Sequence, residues 1–229
     1  MDNNQVASDY YVDIVMCIDG TASMRPIIDE VKRNALSFYH KFIEAMQDAD
    51  KSAEKVRIKV IVFRDYGSDE KPMEVSEFFT IPDQETEFNA FVQGIEAVGG
   101  GDLPENALEA IALAVKSDWT TGGSRRRHAI LVFTDAEALP LGARADSPNY
   151  PEGMPADLAQ LGAWWENADQ TCPGTYQAKA GRLVVFAPNA YPWTELQTWN
   201  RYWPAFSQAG TGLSDVDISA AIDLLVGSF

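Results

Sequence analysis

The stretch YVDIVMCI at residues 11–18 is a nearly continuous apolar run, and it ends in Asp19-Gly20. A strand with one face in solvent alternates apolar and polar residues, whereas a strand covered on both faces is apolar along its length. The run therefore predicts a central strand of a sheet that has helices packed on both faces. This requirement restricts the chain to folds of the α/β class.

The rest of the chain follows the same plan, because strand-like segments alternate with segments of helical periodicity. The further predicted strands are residues 56–67, 73–81, 127–136, 181–189 and 205–210. The predicted helices are residues 24–46 (from Met24 or Pro26), 85–98, 104–117, 156–168, 194–203 and 213–229. Only one pair of strands lacks a helix between its members. The prediction is a doubly wound, mostly parallel six-stranded sheet with one antiparallel edge strand, 73–81, and helices on both faces.

The domain organisation is predicted to be simple. Residues 1–10 are expected to be an N-terminal tail, and residues 11–229 a single domain, since no linker or repeat divides the pattern. Residues 137–155 are rich in Pro, Gly and Asp and are predicted to form a long irregular loop at the apex. Long loops in compact domains are often functional, and a plain surface insertion is an equal alternative.

Composition restricts the partners. The formal net charge is −16, which argues against nucleic acid and anionic membranes because both would repel the chain. The one basic cluster, RRRH at 125–128, is expected in a solvated loop. The start of the sequence does not resemble a signal peptide, no apolar run approaches the roughly 20 residues of a membrane span, and the two cysteines fit a reducing compartment. We expect a cytoplasmic protein.

Oxygen-bearing side chains follow several predicted strands where these strands end. Asp19, Thr21 and Ser23 come after the first strand, Asp102 lies in the loop GGGDLPE, and Asp135 follows the strand at 127–136. The carboxyl ends of parallel strands share one edge of the sheet, which is where ligands bind in such folds. These hard oxygen donors suit Mg²⁺, with Mn²⁺ or Ca²⁺ possible, and no histidine or cysteine spacing indicates zinc.

Each motif alone has an ordinary structural explanation. The Thr and Ser hydroxyls could cap a helix, GGGD could be a flexible loop, and TDA at 134–136 could simply end a strand. Glu105 is expected in the first turn of the helix at 104–117, and Asp65 and Glu137 are expected to support the site or to face solvent. The joint occurrence of the motifs, in order and on the right elements, favours a metal site.

The pattern resembles the metal-ion-dependent adhesion site of von Willebrand factor type A domains, and the resemblance covers nearly the whole chain. That family has Asp-x-Ser-x-Ser after the first strand, a Thr from a second loop and an Asp after the fourth strand. Asp19, Thr21 and Ser23 match the first element with Thr in place of Ser, and Asp135 matches the last. Asp102 falls where the Thr is expected. The loop GGGDLPE and the segment FRDY at 63–66 are similar to intracellular domains of this family found with alpha-type kinases, and no kinase activity is inferred.

The resemblance implies a non-enzymatic module that uses a bound divalent cation to dock a partner protein. We expect the partner to be separately encoded and the module to be a monomer on its own. Three carboxylates around one cation are expected to hold it strongly and to leave it less attractive to an acidic partner group. The alternative is a metal-dependent phosphoryl-transfer enzyme or hydrolase at the same apex, with Asp19 as nucleophile and Arg25 or Arg64 holding phosphate.

One late region of the chain is aromatic. Its members are Trp164, Trp165, Trp193, Trp199, Tyr202 and Trp203. Aromatic side chains at helical spacing usually belong to the core, so core packing is the prediction for most of them, with an exposed partner patch as the alternative.

Overall fold

The computed structural model describes residues 10–101, 104–166, 174–207 and 218–229. The strands are β1 (Tyr10–Asp19), β2 (Ala53–Phe63), β3 (Met73–Val75), β4 (Phe79–Ile81), β5 (Arg125–Phe133), β6 (Gly181–Pro188) and β7 (Tyr202–Ser207). The α-helices are α1 (Ile28–Asp48), α2 (Glu85–Gln93), α3 (Ala107–Val115), α4 (Leu158–Glu166) and α5 (Ile218–Gly227). Short 3₁₀ helices cover Ala22–Met24, Ala178–Ala180 and Glu195–Thr198.

The described strands form one sheet in the order β3-β2-β1-β5-β6-β7, and β4 also pairs with β2. Strands β2, β1, β5, β6 and β7 run parallel, whereas β3 and β4 are antiparallel to β2. The α/β prediction of a mostly parallel sheet with an antiparallel edge is confirmed. The sheet order places β1 in the interior, between β2 and β5, as its apolar sequence requires.

The core lies on both faces of β1. Ile14 and Met16 pack on one side with Phe38 of α1, and Val15 and Cys17 pack on the other. This two-sided burial is the physical reason for the unbroken apolar run at 11–18, since successive side chains of a strand point to opposite faces. Within the described ranges, no helix is both long and apolar enough to cross a membrane.

The edge of the sheet differs from the prediction, because the expected strand 73–81 is divided into β3 and β4. Ser76 interrupts it: the Ser76 amide donates to Val60 O, and the Ser76 hydroxyl accepts from the Val60 amide, both at 2.9 Å. The hydroxyl thereby takes the place of a backbone carbonyl in the ladder. A side chain that competes with the backbone in this way ends regular pairing.

Several predicted boundaries also change. The predicted helix 104–117 begins at Ala107, so Pro104 and Glu105 precede it, and the segment 194–203 contains a 3₁₀ helix and the start of β7 instead of one helix. The cluster RRRH was expected in a loop, and the structure places it inside β5. The last predicted helix is described only from Ile218 onward, and the remainder of 213–229 lies outside the described residues.

The aromatic region belongs mainly to the core. Trp164, Trp165, Trp193 and Tyr202 are buried, whereas Trp199 and Trp203 are partly buried. The indole of Trp193 donates to the carbonyl of Ala136 at 3.0 Å, so this tryptophan also anchors the loop that follows β5. The core prediction is confirmed for the four buried residues.

Candidate metal centre

The carboxyl ends of β1 and β5 lie side by side, because the two strands are parallel neighbours in the sheet. Their pairing runs to Cys17 beside Val132 and Ile18 beside Phe133. The next residues are therefore brought together, and the Thr134 hydroxyl donates to Asp19 Oδ2 at 2.6 Å. Two segments that are far apart in the sequence thus meet at the apex of the sheet.

A chain of short oxygen–oxygen contacts connects the predicted cation donors of these two loops. Asp19 Oδ1 accepts from the Thr21 amide at 2.9 Å and from the Thr21 hydroxyl at 2.6 Å. The Thr21 and Ser23 hydroxyls are 3.0 Å apart, and Ser23 donates to Asp135 Oδ1 at 2.9 Å. Four of the five predicted residues therefore lie together. The fifth, Asp102, lies outside the described residues.

The two residues next to the sheet are more buried than the two at the surface. Asp19 is fully buried, Thr21 is buried, Asp135 is partly buried and Ser23 is exposed. Burial raises the pKa of Asp19 to about 6, and the hydrogen bonds from Thr134 and Thr21 offset part of this effect. The centre thus has a carboxylate at its base and a hydroxyl at its mouth.

The structure does not support the capping explanation for the hydroxyls. Thr21 is the N-cap residue of the 3₁₀ helix Ala22–Met24, and its side chain makes no capping hydrogen bond. The N-cap of α1 is Ile27, which has no side chain able to cap. Both hydroxyls are directed toward carboxylates instead of toward helix amides.

A glycine loop closes over this centre. Gly99, Gly100 and Gly101 all have positive φ, a conformation that favours glycine. A Cβ on Gly100 would lie 2.6 Å from the Cβ of Thr21, so only glycine allows the loop to approach so closely. The Ala22 amide donates to Gly99 O at 3.1 Å and fixes this approach.

Glu105 is placed differently from the prediction, because it is not in the first turn of a helix. Its amide donates to Glu137 O, and its carbonyl accepts from the Leu139 amide. These two hydrogen bonds pair Glu105 with Ala138 in an isolated parallel bridge. The side chain is 1% exposed, and its Oε2 has no hydrogen-bond partner. Burial, followed by the charges of nearby carboxylates including Asp19, raises the pKa of Glu105 to about 9.

Asp65 was expected to be a supporting or solvent-facing acid, and it is fully buried. Arg144 of the 137–155 loop donates to it from Nε at 3.0 Å and from Nη2 at 3.2 Å. The same turn carries Asp69, whose Oδ2 accepts from the amides of Asp65 and Gly100 at 3.1 and 3.0 Å. Arg144 is thereby connected, through this turn, to the glycine loop over the centre. No sequence signal pointed to Arg144.

The loop 137–155 contains no helix and no regular strand, as predicted, and it is attached to its surroundings at several points. The Ser147 hydroxyl donates to Tyr66 O at 2.6 Å. The Tyr150 hydroxyl donates at 2.9 Å to Glu109, a buried acid of α3. Burial raises the pKa of Glu109. These contacts fix the loop beside the centre.

Comparison with known proteins decides the family. A sequence profile of the von Willebrand factor A domain matches residues 13–141, which is more than half of the chain. The chain belongs to the von Willebrand factor A domain family. Domains of this family are commonly protein-interaction or adhesion modules. No curated protein sequence matches the chain significantly.

Solved structures agree on the fold of this von Willebrand factor A domain. The pilus adhesin SpaC from Lactobacillus rhamnosus GG matches with a TM-score of 0.53 at 11% identity, over 95% of this chain and 30% of the adhesin. A von Willebrand factor type A protein from Catenulispora acidiphila matches with a TM-score of 0.52 at 12% identity, over 94% and 42%. Proximal thread matrix protein 1 from the mussel byssus matches with a TM-score of 0.52 at 10% identity, over 96% and 48%. The chain thus spans less than half the length of each of these three proteins.

The phosphoryl-transfer alternative loses one of its two proposed phosphate-holding residues, Arg64. Arg64 is buried and donates from Nε to Gly20 O, from Nη1 to Glu74 and from Nη2 to Glu96 O. Arg64 is therefore not available to hold a phosphate. Arg25, the other proposed residue, is exposed and donates from Nε to Ala97 O. Buried Asp19 accepts a hydrogen bond on each carboxylate oxygen.

The donor chemistry of the domain's apex fits a hard divalent cation. Carboxylate and hydroxyl oxygens converge there, and the free Oε2 of Glu105 is a buried acceptor without a partner. Among the described residues, no three His, Cys, Asp or Glu side chains are arranged to hold a metal ion by themselves. A cation would therefore rely on Thr21 and Ser23 as well as on the acids.

Proposed function

We propose that this domain is a divalent-cation-dependent interaction module that docks a separately encoded partner protein. Mg²⁺ is the cation that we favour, with Mn²⁺ or Ca²⁺ as substitutes. Asp19, Thr21, Ser23 and Asp135 would hold it, and Asp102 is the fifth proposed residue. The observation that carries the proposal is the close approach of four oxygen-bearing side chains, from buried Asp19 through Thr21 and Ser23 to Asp135.

The protein's own residues divide the work of such a site. Thr134 and the Thr21 amide hold the Asp19 carboxylate in one orientation at the base. Ser23 and Asp135 bring the two loops together at the mouth. When bound, the cation supplies positive charge that offsets the clustered carboxylates. Without that charge, hydrogen bonds alone keep the acids of the two loops close together.

The proposed docking face lies beside Asp135. A groove of about 370 Å³ there is lined by Pro104, Ala136, Pro188 and Ala190, with acidic side chains at its edge. The small apolar lining suits an apolar side chain of the partner, and the strongly acidic chain favours a neutral or basic surface around it. The cation centre would then order the loops that form one side of this groove.

Thermal unfolding of metal-stripped protein, titrated with Mg²⁺, tests the cation site. A ligand that binds only the native state raises its stability in a saturable way. We expect the midpoint to rise with Mg²⁺ in the wild-type protein and not in Ser23→Ala. Ser37→Ala is the matched control, because the Ser37 hydroxyl bonds only to a backbone carbonyl within α1. A flat response in the wild-type protein would contradict the proposed site.

Partner binding requires a separate experiment. Wild-type protein and Ser23→Ala would each be used to capture proteins in Mg²⁺ and in chelator. We expect a partner to be retained only by the wild-type protein in Mg²⁺, and its direct binding to be reproduced with purified components. Equal retention of that partner in chelator, or by Ser23→Ala, would argue against cation-dependent docking.

A further inference from the structure

One buried acid beside the proposed centre has no role in the predicted set. The Glu105 side chain is 1% exposed, and its Oε2 atom accepts no hydrogen bond. Burial of a carboxylate without a partner is unfavourable, and the great majority of buried polar atoms in native proteins are paired. A buried polar atom without a partner therefore calls for a partner from outside the described residues, such as an ion.

The carboxylate of Glu105 lies across Gly100 from Thr21. A Cβ built on Gly100 would lie 2.9 Å from Glu105 Oε1 and 2.6 Å from the Cβ of Thr21. Glu105 and Thr21 therefore border the same narrow space, which the absence of a side chain on Gly100 keeps open. The Thr21 hydroxyl also donates to Asp19 and lies 3.0 Å from the Ser23 hydroxyl. The orphan acid is thus adjacent to Thr21, one of the proposed cation donors.

The cationic side chains on this side of the domain are engaged elsewhere. Arg64 donates to Glu74 and to backbone carbonyls, and Arg144 donates to Asp65. In the described part of the chain, Glu105 forms no ion pair. A positive charge that compensates Glu105 would therefore have to come from outside these residues.

The backbone of Glu105 holds it in register with the loop of Asp135. Its amide donates to Glu137 O at 3.2 Å, and its carbonyl accepts from the Leu139 amide at 2.8 Å. Glu137 is only two residues after Asp135, so the two acids are fixed relative to each other by main-chain contacts. The main chain therefore fixes Glu105 relative to the loop that carries Asp135.

We propose that Glu105 belongs to the cation site and supplies it with a further carboxylate from the loop before α3. This inference rests on the proposed function. Glu105 would be an acid of the cation site three residues after Asp102, at a position where the sequence predicted only the first turn of a helix. Glu105 would add negative charge beside Thr21, one of the two hydroxyl residues on which the cation relies.

Cation affinity in Glu105→Gln tests the proposal. Mn²⁺ binding would be followed by the electron paramagnetic resonance signal of the free ion, and Mg²⁺ by competition. We expect the affinity to fall about tenfold or more, in line with the effect of removing groups that support a metal site. Glu96→Gln is the matched control, since it removes an equal charge from an exposed residue of the preceding loop, and its affinity should stay within about twofold of the wild type.

Stability in chelator separates cation binding from a structural role. Because Glu105 is unpaired, Glu105→Gln should unfold in chelator at the wild-type midpoint or above it. Glu105→Leu, which has a similar volume, is the second variant and should lose at least as much affinity. If the wild-type protein binds Mn²⁺ and both variants bind it equally well, the inference is wrong while the proposed function stands. If the wild-type protein binds neither cation, the proposed function fails and the inference fails with it.

Discussion

The hydroxyl of Ser23 lies 2.9 Å from Oδ1 of Asp135, although 112 residues separate the two in the sequence. The contact joins the loop after β1 to the loop after β5, and it exists because these strands are parallel neighbours. It is also the most exposed link in the chain of oxygens that starts at Asp19. The apex of the sheet therefore offers a connected set of donors, with its open end at these two residues.

Asp135→Asn should weaken cation binding without unfolding the protein. An asparagine Oδ1 can still accept the hydrogen bond from Ser23, so stability in chelator should change by no more than about 0.5 kcal/mol. The lost charge should lower Mg²⁺ affinity about tenfold or more. The measurement is the Mg²⁺ dependence of the unfolding midpoint, with Asp146→Asn, an exposed acid of the 137–155 loop, as control. An equal Mg²⁺ response in both variants would contradict the assignment of Asp135.

Gly100→Ala should destabilise the domain by about 1–3 kcal/mol, the usual cost of a left-handed backbone at a residue other than glycine. Gly100 has a φ of 90°, and its added Cβ would meet Thr21. Gly122→Ala is the control, because a Cβ there would have nothing within 4 Å. Chemical denaturation measures both, and we also expect the Mg²⁺ response to weaken only in Gly100→Ala. Similar unfolding free energies for the two variants would show that the close approach is unimportant.

Arg144→Gln should destabilise the domain by about 2 kcal/mol. Removing one partner of a buried pair leaves the other charge uncompensated, and the partial exposure of Arg144 reduces the effect. Asp65, its partner, is fully buried. The measurement is the free energy of unfolding, together with hydrogen exchange, which should accelerate in the 137–155 loop.

The control for the Arg144 prediction is a double-mutant cycle with Asp65→Asn. Once Asp65→Asn has removed the buried charge, Arg144→Gln should lower the free energy of unfolding much less than it does in the wild-type background. If the two substitutions are additive, the contact between Arg144 and Asp65 does not hold the loop in place.

His128 should make the domain acid-sensitive between about pH 6.5 and pH 4. It is fully buried beside Trp119, and burial lowers its pKa from 6.5 to about 4. In this range the unfolded chain binds a proton that the folded protein excludes, so stability rises with pH through the window and is lost as pH falls. The loss is about 3 kcal/mol at its limit.

Two measurements check the His128 prediction. Nuclear magnetic resonance should show the His128 ring neutral at pH 5.5, and the unfolding free energy of His128→Phe should depend less on pH than that of the wild-type protein over the same range. A ring that is protonated at pH 5.5 in the folded protein would contradict the prediction.

The sequence predicted those elements whose burial leaves a local pattern. The apolar run at 11–18 indicated a strand covered on both faces, and β1 lies inside the sheet with side chains packed on each side. Asp19, Thr21 and Ser23 could be located for the same reason, since they follow that strand directly. Their mutual distances could not be predicted, because the path of the loop depends on Gly20 packing against Val62 and on Gly100 packing against Thr21.

Glu105 and Ser76 show where local patterns misled the prediction. Pro104 suggested a helix start, whereas the backbone of Glu105 pairs with the segment after Asp135 and the helix begins at Ala107. Ser76 looked like part of one strand, and its hydroxyl instead replaces a backbone acceptor of the ladder. In both cases a contact with a distant segment prevailed over the local preference.

The sequence by itself determined the fold class, the order of strands and helices and the loops that carry oxygen donors, because periodicity and turn residues act over a few neighbouring positions. Only the tertiary structure decided that Glu105 is a buried acid without a partner, that Arg144 is paired with Asp65 and that Ser23 touches Asp135. These relationships join residues on different loops, and their charges and distances are set by the packing of the sheet edge. The identity of an acidic residue does not specify its environment. Its neighbours in space determine whether the carboxylate faces solvent, an arginine or a site for a cation.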